Sequence, residues 1–169
     1  NQYIKESFVL NTKGETVEGV DAFDVVLRNE QKKPVEQQYL PVFNASPADG
    51  EKVIILPVEG KGLWGPIYGY VSLKSDLNTI YGATFDHKGE TPGLGAEINT
   101  TQFESMFRGK KFFDNEDFIS IQVLKGGARD DDIHGVDAIS GGTITSKGLE
   151  KMLYDCISKY NDYLIKNRN

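Results

Sequence analysis

Two neighbouring segments with alternating apolar and polar residues constrain the fold of this chain more than any other feature of its sequence. Residues 67–73 (IYGYVSL) and 78–85 (NTIYGATF) both alternate, and the turn-forming residues 74–76 separate them. Segments of this kind, rich in aromatic and β-branched residues, predict an antiparallel hairpin. The apolar run of residues 52–58 predicts a buried strand directly before that hairpin.

The C-terminal segment has the clearest helical pattern in the chain. Apolar residues recur at the spacing of one helical face from Leu149 to Leu164, and polar residues cover the opposite face. Earlier in the chain, Thr101 and Glu104 fit a capping box, in which the two side chains satisfy each other's backbone amides. The sequence therefore predicts one helix that begins at this box and a longer helix at the C-terminus.

The remaining segments predict shorter elements. Residues 8–10 and residues 117–125 are typical of strands, whereas Pro41 and Pro47 indicate loops. Strands grouped together, with helices beside them, indicate an α+β fold in which helices flank a mainly antiparallel sheet, and not alternating βαβ units. We expect a single domain spanning residues 1–169, because this length suits one hydrophobic core.

The charge and composition of the chain exclude several classes of partner. The sequence has 19 lysines and arginines against 25 aspartates and glutamates, and its formal net charge is −6. Nucleic-acid binding requires a basic surface, so we expect no nucleic-acid partner. The acidic residues 130–132 lack the spacing of a calcium loop, so we expect no metal site there. No apolar run approaches the roughly 20 residues that cross a bilayer, and one cysteine allows no internal disulfide.

A glycine-rich segment, residues 137–148 (DAISGGTITSKG), precedes the C-terminal helix. The adjacent glycines Gly141 and Gly142 allow positive φ angles and a concave arrangement of backbone N–H groups that binds anions. The first amides of the following helix also favour an anion, and a phosphate suits this geometry. Further donors in the segment are the hydroxyls of Ser140, Thr143, Thr145 and Ser146 and the ammonium group of Lys147.

The same segment can also be interpreted as an ordinary turn that starts a helix with a serine or threonine cap. It is not a P-loop, because Lys147 precedes a glycine instead of following one. The residues of this segment alone therefore leave a phosphate site and a simple turn as open alternatives.

Three segments resemble motifs of the FMN-binding domain family. The stretch SGGTIT, residues 140–145, is similar to the family's flavinylation motif S/T-G-A-T-x-T/S, with Gly142 at the position of the usual alanine. Residues 60–69 (GKGLWGPIYG) resemble its G-x-G-L-W-G segment. Residues 86–95 (DHKGETPGLG) resemble its H-x-E-T-P-G-L-G loop, with one additional residue after the histidine. The three segments also follow each other in the family's order.

The resemblance implies a cofactor and the way in which it is attached. In the family, FMN is joined through its phosphate to the hydroxyl of the motif's last threonine, which is Thr145 here. A separate flavin transferase, using FAD and Mg²⁺, makes this ester, so the threonine is an acceptor and we expect no catalytic residue. The further residues that we expect to contact FMN are Ser140, Gly141, Gly142, Thr143, Lys147, Glu90, Thr91, Pro92, Gly93, Leu94, Gly95 and Trp64.

The loop of residues 91–95 is expected beside the flavin ring. Its proline and glycines favour a turn with exposed backbone N–H groups that reach the ring's polar edge, and Leu94 is expected on a ring face. Trp64 suits either a position near the flavin or an ordinary core position. Lys147 suits either neutralisation of the phosphate or an exposed position on the first helical turn.

The resemblance also implies a cellular role. The family includes the C subunit of the Na⁺-translocating NADH:quinone reductase and the G subunit of the Rnf electron-transport complex, and residues 60–73 are more similar to the former. We therefore expect an electron-transfer subunit of a bacterial inner-membrane reductase, with the other subunits as partners. The resemblance implies an N-terminal membrane helix before this domain, a periplasmic position, and no turnover by the isolated domain. The alternative is a non-catalytic module that binds an anion or another ligand without covalent flavin.

Overall fold

A six-stranded sheet forms the centre of the structure, a computed structural model that describes residues 2–168. The strands of this sheet are β1 (Ile4–Leu10), β2 (Thr16–Val17), β3 (Leu40–Ala45), β4 (Val53–Lys61), β5 (Pro66–Leu73) and β6 (Ile80–His87). They lie in the order β2-β1-β3-β4-β5-β6, and every neighbouring pair is antiparallel. The predicted mainly antiparallel sheet is therefore confirmed.

The predicted hairpin and the strand before it form the half of the sheet that carries the longest ladders. Leu56 of β4 lies opposite Val71 of β5, and Tyr70 of β5 lies opposite Thr84 of β6. Side chains alternate between the two faces of a strand, so Leu56 and Val71 are buried while Tyr70 is exposed. The predictions for these three strands are confirmed.

Shorter elements complete the fold outside the main sheet. Two further strand pairs are β7 (Phe113–Asp114) with β8 (Asp117–Phe118), antiparallel, and β9 (Gln122–Leu124) with β10 (Gly135–Asp137), parallel. The α-helices are α1 (Leu27–Glu30), α2 (Thr101–Ser105), α3 (Thr143–Ile157) and α4 (Asn161–Lys166). The 3₁₀ turns are Ala22–Asp24, Val35–Gln37, Gly95–Asn99 and Ser158–Tyr160.

Helix α3 packs across β4 and fixes the position of the glycine-rich segment that precedes it. Leu149, Leu153 and Ile157, at the predicted helical spacing, are fully buried in the main hydrophobic core. The polar residues Lys151 and Asp155 lie on the exposed face, where they form an ion pair. The α+β prediction is confirmed, and the core holds the start of this helix beside the end of β4.

The predicted capping box at the start of α2 is wrong by one residue. The cap is Thr100, whose hydroxyl accepts a hydrogen bond from the amide of Phe103 at 3.3 Å. The Glu104 carboxylate does not return to the cap, because it accepts a hydrogen bond from the amide of Phe85 in β6 at 2.7 Å. A tertiary contact with the sheet therefore replaces the local contact that the sequence pattern predicts.

Residues 117–125 do not form the single strand that their alternation predicts. The chain turns at Ser120, which has a φ of 67°, and the segment divides into β8 and β9. The amides of Ile119 and Ser120 both donate to the carbonyl of Phe112, at 2.8 and 2.9 Å, which holds this turn. The two halves of the segment consequently pair with different strands.

Two further expectations are corrected by the structure. Pro41 does not mark a loop, because it lies within β3, opposite Val9 of β1. The C-terminal helical pattern is divided, since α3 and α4 are separated by the 3₁₀ turn Ser158–Tyr160. The spacing of the apolar residues nevertheless continues through this turn, and Leu164 of α4 is buried in the same core.

We expect the Tyr160→Phe variant to lose about 1 kcal/mol of the free energy of unfolding. The buried Tyr160 hydroxyl donates a 2.8 Å hydrogen bond to the carbonyl of Pro41, and phenylalanine removes that donor while keeping the ring. Burial raises the pKa of this phenol well above its ordinary value, so the hydroxyl remains a donor. Urea denaturation measures the loss. Tyr70→Phe, at an exposed site, is the control and should leave the unfolding free energy unchanged.

Two kinds of feature are absent from residues 2–168. No helix in this part of the chain is both long enough and apolar enough to cross a membrane. The same residues contain no group of three or more histidine, cysteine, aspartate or glutamate side chains arranged to hold a metal ion.

Candidate functional site

Three segments that are distant in the sequence meet beside the N-terminus of α3. They are the turn between β4 and β5, the loop that follows β6, and the glycine-rich turn before α3. Together they form an open cleft of about 380 Å³. The cleft is lined by Leu63, Trp64, Thr91, Leu94, Gly95, Gly141, Gly142, Thr143, Ile144 and Thr145.

The glycine-rich turn directs the first amides of α3 into this cleft. Gly141 has a φ of 72°, the left-handed conformation that its sequence predicts, and Gly142 is the N-cap of the helix. The buried hydroxyl of Ser146 accepts a 3.0 Å hydrogen bond from the amide of Ile139, which fixes the chain before the turn. Since the first helical amides lack acceptors within the helix, this end carries partial positive charge toward the cleft.

The hydroxyl of Thr145 lies at the floor of the cleft and donates a hydrogen bond to the Glu90 carboxylate. Both residues are buried, with 2% and 4% of their surfaces exposed. The same carboxylate accepts hydrogen bonds from the amides of Leu63 and Trp64, each at 2.8 Å. Glu90 therefore joins the three segments of the site through one side chain.

The environment of Glu90 keeps its carboxylate ionised at neutral pH. Burial is the largest influence and raises its pKa, but the hydrogen bond from Thr145 and those from the amides of Trp64 and Leu63 lower it. The hydrogen bonds outweigh the effect of burial, so the pKa of Glu90 lies below its ordinary value. Its own amide donates to Nδ1 of His87 at 3.0 Å, which anchors the start of the loop.

The close contact between Gly95 and the Thr145 side chain requires glycine. A Cβ atom at residue 95 would overlap the Thr145 hydroxyl oxygen and would lie 3.2 Å from Oε1 of Glu90. A side chain here would therefore displace the hydroxyl from its partner or fill the floor of the cleft. The glycine allows the loop after β6 to approach α3 closely enough to form the site.

The structure brings together most of the residues that the sequence predicts for cofactor binding. Eight of them line the cleft: Trp64, Thr91, Leu94, Gly95, Gly141, Gly142, Thr143 and Thr145. Glu90 lies beneath the floor. Ser140, Pro92 and Gly93 are exposed and belong to the two loops, but they do not line the cleft.

Lys147 does not line the cleft. Its ammonium group lies 3.2 Å from the carbonyl oxygen of Val123 and 3.3 Å from Oε2 of Glu150, on the side of α3 that faces β9. The position of this ammonium group therefore does not support the alternative in which Lys147 neutralises a bound phosphate.

Two residues that line the cleft, Leu63 and Ile144, were not predicted from the sequence. Leu63 and Ile144 lie within the motif segments, next to residues predicted to contact the cofactor. This proximity in the sequence is the one signal that could have indicated them. Ser146 was considered as a donor to the anion, but its hydroxyl accepts a hydrogen bond from the amide of Ile139 and holds the turn. No sequence signal indicated the contact between Thr145 and Glu90, which are 55 residues apart.

The shape and chemistry of the cleft suit a planar ring with an anionic tail. Trp64 and Ile144 are 68% and 59% exposed, and with Leu63 and Leu94 they form apolar walls around the opening. Helical amides and hydroxyl groups lie deeper in the cleft, where an anionic tail would be hydrogen-bonded. The residues present therefore fit a flavin nucleotide.

Comparison with known proteins decides the family. The family model described as the FMN-binding domain matches residues 62–158, a range that contains every residue lining the cleft. The chain belongs to the FMN-binding domain family. The resemblance of the three sequence motifs to this family is thereby confirmed, and all three lie wholly or largely inside the matched range.

This FMN-binding domain is similar in sequence to several curated proteins. The C subunit of the Na⁺-translocating NADH-quinone reductase of Neisseria meningitidis is 45% identical over 114 residues, which cover 67% of this chain and 44% of the relative. The corresponding protein of Vibrio vulnificus is 44% identical over 109 residues, covering 64% and 43%. The chain thus matches less than half the length of these relatives.

Two solved structures resemble this FMN-binding domain over nearly its full length. The C subunit of the same kind of reductase from Parabacteroides distasonis is 47% identical, with a TM-score of 0.87, and the match covers 96% of this chain and 79% of that one. NqrC from Shewanella oneidensis is 29% identical, with a TM-score of 0.80, covering 98% and 83%.

Proposed function

We propose that this FMN-binding domain is an electron-transfer module that carries FMN covalently, through a phosphoester to the hydroxyl of Thr145. The main support for this proposal is the position of the Thr145 hydroxyl. It lies at the floor of an apolar-walled cleft, beside the first amides of a 15-residue helix, in the last position of the flavinylation motif. These amides would donate hydrogen bonds to the phosphate oxygens.

The residues of the cleft would hold the flavin in distinct ways. Thr143 and the turn at Gly141 and Gly142 lie where a phosphate esterified to Thr145 would be hydrogen-bonded. Leu94 and Trp64 stand at the opening, where they would contact the faces and edge of the ring. When bound, FMN supplies one- and two-electron redox chemistry, and the protein positions the ring and controls its access to partners.

The ester suits a carrier that must not lose its cofactor. No lysine, arginine or histidine belongs to the described residues that line the cleft, so charge pairing offers little to retain a phosphate there. A covalent bond would retain FMN whatever the affinity of the cleft for the free cofactor. The domain would thereby keep its flavin while it accepts and donates electrons.

We further propose that the domain works as part of the C subunit of a Na⁺-translocating NADH:quinone reductase. The relatives and both solved structures named above support this assignment over the G subunit of an Rnf complex. Its partners would be the other subunits and a flavin transferase that uses FAD and Mg²⁺. A membrane helix preceding this domain would place it at the periplasmic face of a bacterial inner membrane, and the isolated domain would not turn over.

Intact mass spectrometry tests the proposed attachment. We expect the domain produced together with a flavin transferase to gain the mass of one FMN less one water, with the adduct mapped to the peptide that contains Thr145. The same domain produced without the transferase should keep its unmodified mass. An unmodified chain from the flavinylating host, or an adduct on a different residue, contradicts the proposal.

A further inference from the structure

Within residues 2–168, the cleft supplies hydrogen-bond donors for a phosphate but no cationic side chain that would attract a free one. None of the described residues that line it is a lysine, arginine or histidine, and Lys147 of the glycine-rich segment is paired with Glu150. The charged group closest to the anchoring hydroxyl is the buried Glu90 carboxylate, which accepts its hydrogen bond. A free phosphate would therefore approach a negative charge at the floor of the cleft.

The Glu90 carboxylate cannot easily move away or become neutral. Three donors hold it, the Thr145 hydroxyl and the amides of Leu63 and Trp64, and its pKa lies below the ordinary value. A change of rotamer would break all of these hydrogen bonds and leave the buried Thr145 hydroxyl unpaired. The negative charge is thus a fixed part of the folded site.

The partial positive charge at the start of α3 is smaller than the negative charge of Glu90. A helix N-terminus is equivalent to roughly half a positive charge, whereas Glu90 contributes a full negative charge. A free phosphomonoester carries about −1.5 to −2 at neutral pH, and conversion to a diester leaves only one charge. Because the Glu90 carboxylate is buried, it repels a like charge more strongly than it would in water.

We propose that Glu90 excludes free phosphomonoesters from the floor of the cleft, so that the unmodified domain binds an uncharged flavin such as riboflavin more tightly than FMN. This inference rests on the function proposed above, in which the flavin ring lies at the opening of the cleft. FMN is then retained only through its bond to Thr145, and the carboxylate prevents unattached FMN from occupying the acceptor site.

Fluorescence titration of the unflavinylated domain tests this inference with two ligands, riboflavin and FMN, at neutral pH. We expect wild-type protein to bind riboflavin about ten-fold more tightly than FMN, equivalent to about 1.4 kcal/mol. Glu90→Gln should shift the ratio of the two affinities about ten-fold in favour of FMN, whatever its effect on flavin binding as a whole. Glu36→Gln removes the same charge from an exposed site outside the cleft and should leave the ratio of the two affinities as in wild type.

Each outcome of the titration decides the inference. Wild-type protein that binds FMN as tightly as riboflavin overturns it, and this comparison does not depend on the folding of any variant. If wild-type protein binds neither ligand, FMN binding by a folded Glu90→Gln variant supports the inference, and the absence of such binding overturns it. Circular dichroism establishes that the variant is folded.

Failure of this inference and failure of the proposed function are distinguishable. An adduct on Thr145 in the mass spectrum, together with FMN binding equal to riboflavin binding in wild-type protein, refutes only the role of Glu90. The expected titration without any adduct refutes only the attachment.

Discussion

Thr145→Ala, produced in a host that contains a flavin transferase, is expected to carry no covalent flavin. The variant lacks the hydroxyl oxygen that would bond to phosphorus, and no other hydroxyl occupies its position at the floor of the cleft. Thr143 also lines the cleft, but it is exposed, and it is Thr145 whose hydroxyl donates to Glu90. The loss should therefore be complete and not partial. Intact mass and flavin absorbance after denaturation measure it.

Two matched variants separate the loss of the acceptor from a disturbance of the fold. Thr145→Ser keeps a hydroxyl that can donate to Glu90, so it should still acquire flavin. Thr143→Ala removes a neighbouring hydroxyl and should retain at least part of the flavin. Flavin that survives denaturation in Thr145→Ala would show that another residue is the acceptor. A Thr145→Ser variant that is folded but never modified would show that the hydroxyl alone is insufficient.

Leu153→Ala should lower the free energy of unfolding by roughly 2–5 kcal/mol. Leu153 is fully buried on the face of α3 that packs in the main core, and alanine would leave a cavity among side chains that cannot collapse fully. This helix also carries Thr145, so the same change weakens the element that holds the acceptor in place. Urea denaturation followed by circular dichroism measures the loss.

Leu63→Ala is the control, because it removes the same atoms from a leucine that is 43% exposed. Its effect on the unfolding free energy should be about 1 kcal/mol or less. The Leu63 amide, which donates to Glu90, is retained in the variant. Equal losses in the two variants would contradict the assignment of α3 to the core, and so would the absence of any loss in Leu153→Ala.

Elements of the fold that depend on nearby residues were predictable from the sequence. The alternation of β5 and β6 and the apolar spacing of α3 are set by which faces become buried, and burial dominates the energetics of these elements. Elements that depend on a distant partner were not predictable. Glu104 contacts Phe85 in the sheet instead of capping its own helix, and the Phe112 carbonyl turns the chain at Ser120.

In the candidate site, too, local features were predictable from the sequence and contacts with distant residues were not. The motif segments predicted which loops contribute, and the structure places eight of the predicted residues around one cleft. Local spacing left Lys147 either as a phosphate partner or as an exposed residue of the first helical turn, and in the structure it is exposed and pairs with Glu150, three residues later on the same helix. The hydrogen bond between Thr145 and Glu90 connects the first turn of α3 to the loop after β6, which only the folded domain brings together, so no local pattern could reveal it.

The burial of Thr145 has a consequence for the timing of cofactor attachment. With 2% of its surface exposed, and with the Gly95 loop against its hydroxyl, this residue is freely accessible in a newly synthesised chain but not in the finished domain. If Thr145 is the flavin acceptor, as proposed, a transferase acting after folding must wait until the loops separate, whereas one acting earlier meets an open peptide. The rate of the proposed modification would then depend on the competition between protein folding and enzyme encounter.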